Sequence, residues 1–388
     1  MDIILIIIII FSGFLITKGF KNKLSNLDIK VLNALWLFHI SIGIIYYYFI
    51  ITKGGDAYSY WFKAKQMNLT EFFNNLSNAQ NDLGTKFMYT LNYIPANIIG
   101  MSFFTNSLFY SLLGFIAFIF FYCICIHSIP FNSIFLKIRI FPFLLFLPSL
   151  HYWTSAVGKD TISFLCILMI SYGFMYIKTR FPLVIIGLLL SFGIRPHITF
   201  LVITSFGFIY IINRKFTIIQ RFFIIIISGI AFFLIIPKVL DFSKMSEISI
   251  NELNRFSLEK SDALSYGGSF VDISSYPYPL KVLTFTYRPF FFDINGFPAV
   301  IASFENLLFV LLSLSVLRNR FFITFKAAPL VIQGLFVFFL MGVFIFSIGT
   351  SNLGVILRQR NMFLPGMILF ILWSFSYKQQ INSKNKRR

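Results

Sequence analysis

Runs of roughly 20 apolar residues recur from one end of this 388-residue chain to the other. That is the length an α-helix needs to cross the ~30 Å hydrocarbon core of a bilayer. A backbone in lipid must satisfy its polar groups internally, which leaves helices as the form such runs can take. With 57% hydrophobic and only 12% charged residues, the chain has too little charge to cover a soluble surface of this size. The expectation is an all-α, polytopic transmembrane helical bundle forming a single integral membrane domain over 1–388.

Hydropathy and loop charge predict about eleven spans, near 3–17, 32–52, 105–126, 140–153, 160–177, 181–193, 198–212, 219–237, 299–316, 329–348 and 361–376. Three of them, 140–153, 181–193 and 198–212, are short. They meet their neighbours at polar breaks, Pro148–Ser155 running on to Gly158-Lys159-Asp160, and Gly193-Ile194-Arg195-Pro196-His197. Irregular backbone at membrane depth is tolerated only where it lines a cavity or lies buried in protein, so these breaks point to a sunken site. Plain helical hairpins are the alternative. Two longer segments, about 53–104 and 238–298, are expected as outer-face loops. The first contains a weakly amphipathic stretch, Phe87 to Met101, suited to lying on the membrane or dipping into it. The second passes through Tyr266-Gly267-Gly268-Ser269.

Charge is partitioned between the connecting segments. Lys18 to Lys30, Lys137 to Arg139, Lys178 to Arg180, Arg214 to Arg221, Arg318 to Lys326 and Lys378 to Arg388 hold 19 of the 33 Lys and Arg but only one of the 14 acids, Asp28. Short basic loops stay in the cytoplasm. The alternate segments, with the other 13 acids, then face outward. This predicts an outside N-terminus, on a retained first span, and a cytoplasmic C-terminus. The net charge of +19 is a topology signal and no evidence for nucleic acid, though a polybasic lipid-binding tail at Lys384 to Arg388 is a possible use of part of it. Cys123, Cys125 and Cys166 lie inside apolar runs, with no disulfide or metal-site spacing.

The outward segments also hold the candidate chemistry. Asp56, in Gly54-Gly55-Asp56-Ala57-Tyr58-Ser59-Tyr60-Trp61, can serve as a general base, with Tyr58 and Trp61 offering faces to a sugar. Lys159 and Asp160 open the fifth span, Asp160 as a candidate N-cap, with His151 and Trp153 nearby. Arg195 and His197 flank Pro196 at a break between spans. Arg288 and Asp293 precede the ninth span and Glu305 lies two turns inside it, where an ionisable residue is a functional candidate and an inward-facing Arg its simplest partner. Arg358 and Arg360 stand on the outer side, where the positive-inside rule does not ask for them. Arginines suit phosphate, so Arg195, Arg288, Arg358 and Arg360 are expected to hold a diphosphate, with Asp56, or His197 in second place, taking a proton. Headgroup contact and structural ion pairing are the plainer readings of the same residues.

This layout resembles the Wzy-type and EpsG-like bacterial polysaccharide polymerases and, more distantly, the GT-C membrane glycosyltransferases. Asp56 in Gly-Gly-Asp-Ala-Tyr is similar to the acidic first-outer-loop site of GT-C enzymes. The Pro148-Ser149 to Lys159-Asp160 stretch, the Arg195-Pro196-His197 turn and Arg358-Gln359-Arg360 look like outer-edge stretches of polymerase-like proteins. The chain lacks the paired acids that many GT-C enzymes carry in the first outer loop. The resemblance implies a glycosyltransferase at the outer face of the bacterial inner (cytoplasmic) membrane. It would polymerise undecaprenyl-diphosphate-linked repeat units into surface polysaccharide of the O-antigen or capsule type. Donor and acceptor would both be lipid-linked glycans, and a chain-length regulator or a flippase are possible partners. No cofactor is implied, save a divalent metal if the chemistry is GT-C-like. Two alternatives stand beside it: a GT-C transferase adding one sugar from a polyprenyl-monophosphate donor, and a non-catalytic flippase or transporter of lipid-linked glycan.

Overall fold

The computed structural model describes residues 2–78, 83–213, 217–243, 268–273 and 275–385, with isolated residues between 247 and 259. The protein is a multi-pass helical membrane protein. Among the described residues six helices are long and apolar enough to cross a bilayer, or seven if the bent pair Leu353–Arg360 and Leu364–Ser383, at 63°, counts as one span. The chain divides into two compact units, residues 1–124 with 145–198, and residues 125–144 with 199–388.

The first unit contains α1 (Asp2–Gly19), α2 (Asn26–Lys53), α3 (Asp56–Gln66), α4 (Leu69–Ser77), α5 (Thr85–Tyr93), most of α6 (Phe103–Ser128), α7 (Pro148–Tyr152), α8 (Lys159–Met175) and α9 (Ile177–Ile194). Asp28, the lone acid of the basic segments, has a local task. It forms a capping box with Ser25 at the start of α2, the arrangement that satisfies two orphan backbone N–H groups at once. It also accepts a 2.7 Å hydrogen bond from the Tyr122 hydroxyl of α6.

The segment 53–104 is helical rather than loop. The stretch Phe87–Met101 is split between α5 and a π-helical turn, Ile94–Ile98. It contributes Met88, Asn92 and Ala96 to the interior, so it packs against its own unit as well as presenting a surface. Asn92 donates to Met88 O and to the Tyr110 hydroxyl, and accepts from Asn106.

The predicted span 140–153 is not one helix. Pro142 and Pro148 interrupt it, leaving a 3-10 turn, Phe143–Phe146, and the single turn α7. From Leu145 to Asp160 no residue is exposed, so an irregular backbone lies buried against α2 and α6. Two glycines make the room. A Cβ on Gly43 would lie 2.5 Å from Ser111 Oγ and 3.1 Å from Ser155 O, and one on Gly114 would lie 2.0 Å from Thr154 O. Local side chains satisfy the carbonyls that a helix would have used. Ser111 Oγ donates to Ser155 O, Thr161 Oγ1 to Ala156 O and Thr154 Oγ1 to Leu150 O, as buried polar backbone requires.

His151 anchors the same stretch. Its Nε2 donates to Leu145 O at 2.7 Å, its ring stacks on Phe118 at 4.1 Å, and its Nδ1 lies 2.8 Å from Nδ1 of His39. Two ring nitrogens at that distance share one proton between them. His39 is midway along α2, so two imidazoles meet at the middle of an apolar helix.

The short predicted spans 181–193 and 198–212 are longer in the structure, as α9 and α10 (Pro196–Ile212). The break between them shrinks to one residue, Arg195. Near its start α9 is kinked at Arg180, which has φ −117° and ψ 16°. The Arg180 guanidinium packs 3.8 Å over the Tyr172 ring and 4.6 Å over that of Tyr176.

The second unit holds most of α10, then α11 (Ile218–Ser243), α12 (Tyr278–Tyr287), α13 (Phe297–Arg318), α14 (Phe321–Ala327), α15 (Leu330–Phe346), α16 (Leu353–Arg360) and α17 (Leu364–Asn385). A short antiparallel hairpin, β1 (Ile134–Phe135) and β2 (Ile138–Arg139), belongs to it. Phe131 N donates to Ser376 Oγ and Ser133 Oγ to Leu372 O, which fastens the hairpin's approach to α17. Tyr266 and Gly267 lie outside the described residues, whereas Ser269 and Phe270 pair with the chain before α16.

Gly114→Ala tests the buried stretch. Its Cβ would fall onto a backbone oxygen, so it is expected to destabilise the protein by roughly 3 kcal/mol, the upper range for overpacking. Gly229→Ala, whose Cβ meets nothing within 4 Å, is expected to be neutral or slightly stabilising. Thermal unfolding of both variants in detergent checks this.

Candidate functional site

The sequence-predicted residues fall into separate groups. In the first unit, Asp160 is not the N-cap of α8. Gly158 holds that position, and Asp160 sits in the first turn, where it accepts a 2.7 Å hydrogen bond from Arg195 Nη2. A carboxylate at a helix N-terminus and a guanidinium at the C-terminus of the antiparallel neighbour both complement the helix dipoles. Both side chains are largely buried, at 12% and 6% exposure. Next to Asp160, Lys159 Nζ donates to Thr85 Oγ1 at 2.9 Å, and Gly84 N donates to Gly193 O at 2.8 Å. The open end of the α8–α9 hairpin is thus closed by polar bonds and joined to the start of α5. His197 follows within the first turn of α10, partly buried.

Asp56 is the first residue of α3, exposed, after Gly54 and Gly55 with φ of +77° and +152°. Of its aromatic neighbours, Trp61 is core. It is 9% exposed and donates its indole N–H to Met101 O. Tyr58 remains exposed and stacks on Phe62. Trp153 is partly buried and packs against Tyr46 and Tyr152. His151 is fully buried beside His39, so it faces protein and not an open pocket.

In the second unit the structure brings together Arg288, Asp293, Glu305 and Arg360. Arg288 donates through Nε and Nη2 to the two carboxylate oxygens of Asp293, the first at 2.9 Å, in the bidentate geometry that makes such pairs strong. Phe290 N donates to the same carboxylate. Burial works against the Asp293 charge, yet these donors hold its carboxyl below the ordinary range. Asp293 in turn pushes the Arg288 guanidinium up.

Arg360 is fully buried. It donates to Thr286 O at 2.6 Å, to Arg288 O at 3.4 Å and to Asn306 Oδ1 at 2.7 Å. Asn306 completes the ring by donating to Pro289 O. Glu305, one residue earlier, supplies negative charge acting on Arg360. The guanidinium therefore knots the chain 286–293 to α13 and α16. Its contacts are those of a positioning residue, whereas Arg358, two residues back, is partly exposed. Asn352 caps α16 by accepting from Gly354 N and Val355 N, and Ser269 Oγ holds that cap.

Asn306, Thr85 and His39 are the members of these groups that sequence reasoning did not assign to a site. Asn306 carries a signal in retrospect, as an amide beside a carboxylate in an apolar span. Thr85 carries none. Among the described residues no group of three or more His, Cys, Asp or Glu is placed to hold a metal ion. No family model, curated protein or solved structure matches this chain.

The two neighbouring arginines should respond differently to substitution. Arg360→Gln leaves buried carbonyls unpaired and is expected to cost about 3 kcal/mol or more, a larger drop in melting temperature than Arg358→Gln at its partly exposed position. The Arg288–Asp293 pair carries its own pH signature. Because the Asp293 carboxyl is depressed, its stabilisation is complete above about pH 4, the unfolded carboxylate value, and fades as pH falls through the lower native value. The gap in melting temperature between wild type and Asp293→Asn should therefore be widest near pH 7 and close in more acidic buffer.

Proposed function

We propose that this protein is a membrane-embedded glycosyltransferase acting on lipid-linked glycans. On this reading it polymerises undecaprenyl-diphosphate-linked repeat units into surface polysaccharide, with its site at the outer face of the bacterial cytoplasmic membrane. The reading takes the eleven crossings, outside N-terminus and cytoplasmic C-terminus expected from loop charge. Residues 140–153 would then pass through the bilayer as a broken segment packed in protein. The observation that carries the proposal is that the acid-bearing segments at the ends of apolar helices hold ordered guanidinium–carboxylate pairs, Arg195–Asp160 and Arg288–Asp293. Pre-placed donors of this kind suit charge that develops on a departing phosphate.

Arg358 is the candidate for direct contact with the diphosphate. Arg288 is available to it if Asp293 yields its hydrogen bonds, and Arg360 holds their backbone in place. Asp56, exposed at the start of α3, is the candidate general base. In such a transfer an acceptor hydroxyl would attack the anomeric carbon and give its proton to a carboxylate, while the sugar–oxygen bond breaks and the electron pair leaves with the diphosphate. The diphosphate is a good leaving group and needs no acid on its side.

A second reading, a transporter of lipid-linked glycan, is favoured by one observation. His39 and His151 form an ionisable pair at the middle of α2, and such groups within spans serve proton relays in transporters.

Lipid-linked and surface glycans of a deletion strain, resolved by gel and mass spectrometry, separate these readings. Single repeat units accumulating on undecaprenyl diphosphate, rescued by wild type and by His39→Gln but not by Asp56→Asn or Arg358→Ala, are expected for the polymerase. Repeats lacking one sugar would indicate a single-sugar transferase. Complete polymer retained in the cell, with His39→Gln failing to restore export, would indicate transport.

A further inference from the structure

Beyond that reading, the second unit contains a cavity of about 420 Å³ bounded by the β1–β2 hairpin, the end of α13 and α17. Its size is within the range of small-ligand pockets. Arg318 and Lys378 line it from two helices, and no Asp or Glu is among its lining residues. Among the described residues neither cation makes a hydrogen bond or an ion pair. The sequence after Glu305 contains no acid at all, so nothing along α14 to α17 offsets their field.

The wall is built rather than accidental. Phe135 and Phe375 pack edge to face across it at 5.6 Å. The hairpin reverses through Leu136 and Lys137 at φ +47° and +69°. Two-residue hairpin turns of this kind favour Asn and Gly, because side chains such as these resist positive φ. Strained backbone persists where surrounding contacts over-determine it, and it concentrates at binding sites. Here it sets Leu136 against the cavity. Asn319, at the end of α13, has a buried Nδ2 without a hydrogen-bond acceptor. Two cations and an unused donor ask for an anion with several oxygens. The apolar surface around them, with Leu136, Ile138, Leu317 and Phe322 each more than 60% exposed, suits acyl chains.

We propose that this cavity binds a phosphate-bearing anion, held by Arg318 and Lys378 with Asn319 as a further donor. Phosphate is the chemistry that basic pockets at the ends of membrane helices recognise in lipid headgroups, and a water-soluble organophosphate presents the same oxygens.

The test is native mass spectrometry of the full-length protein in neutral detergent, titrated with phosphatidylglycerol or with phosphatidylcholine, and with glycerol 3-phosphate as competitor. The expected result is saturable binding of phosphatidylglycerol in preference to phosphatidylcholine. It should weaken by at least about tenfold, or about 1.4 kcal/mol, in Arg318→Gln/Lys378→Gln, and stay within about threefold of wild type in the charge-keeping Arg318→Lys/Lys378→Arg. Little competition by glycerol 3-phosphate supports a lipid as the source, and full competition supports a soluble organophosphate. Equal binding of the two lipids, or unchanged binding in the glutamine variant, overturns the proposal. So does an equal loss in the charge-keeping variant, since folding rather than charge would then have been removed.

Discussion

A stretch of irregular backbone with nowhere to expose its carbonyls governs the first unit. Between Leu145 and Gly158 the chain has no continuous helix to consume its own hydrogen bonds, and it lies where water is excluded. Each carbonyl left over must find a donor or cost several kcal/mol. The solutions are local and specific: hydroxyls of Ser111, Thr154 and Thr161, and the imidazole of His151. The one donor from a neighbouring helix, Ser111, is within reach because Gly43 and Gly114 leave room for a close approach. Small residues at these positions serve a segment that is not itself a helix, a variation on the close helix–helix packing seen in membranes.

The second unit meets the same demand with charge. The turn after α12 carries a run of backbone carbonyls that Arg360 and Asn306 collect, and Asp293 ties Arg288 back onto the same turn. A buried guanidinium is costly to desolvate, so its retention calls for several acceptors and a nearby acid, and it has them in Thr286 O, Arg288 O, Asn306 and Glu305. The deeply placed arginine, Arg360, sets the geometry of its own backbone, while Arg358, two residues back, is partly exposed.

Much of the fold was legible in the sequence. Ten of the eleven predicted spans coincide with helices of 17 residues or more, though among the described residues only six helices, or seven with the bent pair, are long and apolar enough to cross a bilayer. The eleventh, 140–153, failed as a helix because Pro142 and Pro148 override its hydropathy, and a window average does not see them. Segment 53–104 lacks a span-length apolar run, because its helices are short, so hydropathy alone does not reveal them. At the site, residue type announced Arg195, Asp160, Arg288 and Asp293 as candidates. Their pairing was not legible, since Asp160 and Arg195 are 35 positions apart and meet only through the α8–α9 hairpin. The buried state of Arg360 and His151 was equally hidden: an arginine reads the same in sequence whether it clamps a ligand or its own backbone.

The dependence of residues 145–158 on two glycine-bearing helices has a consequence for biogenesis. A segment whose carbonyls are answered by Ser111 of α6, and whose His151 leans on His39 of α2, is a poor solute for lipid by itself. It cannot partition from the translocon as an independent hydrophobic helix does. Its partners are both encoded upstream, so they leave the ribosome first and can be waiting when it emerges. The vectorial order of synthesis is thus matched to the order of assembly, and a circular permutant that made this segment before α2 and α6 would present it to the bilayer without the Ser111 hydrogen bond and the His39 contact.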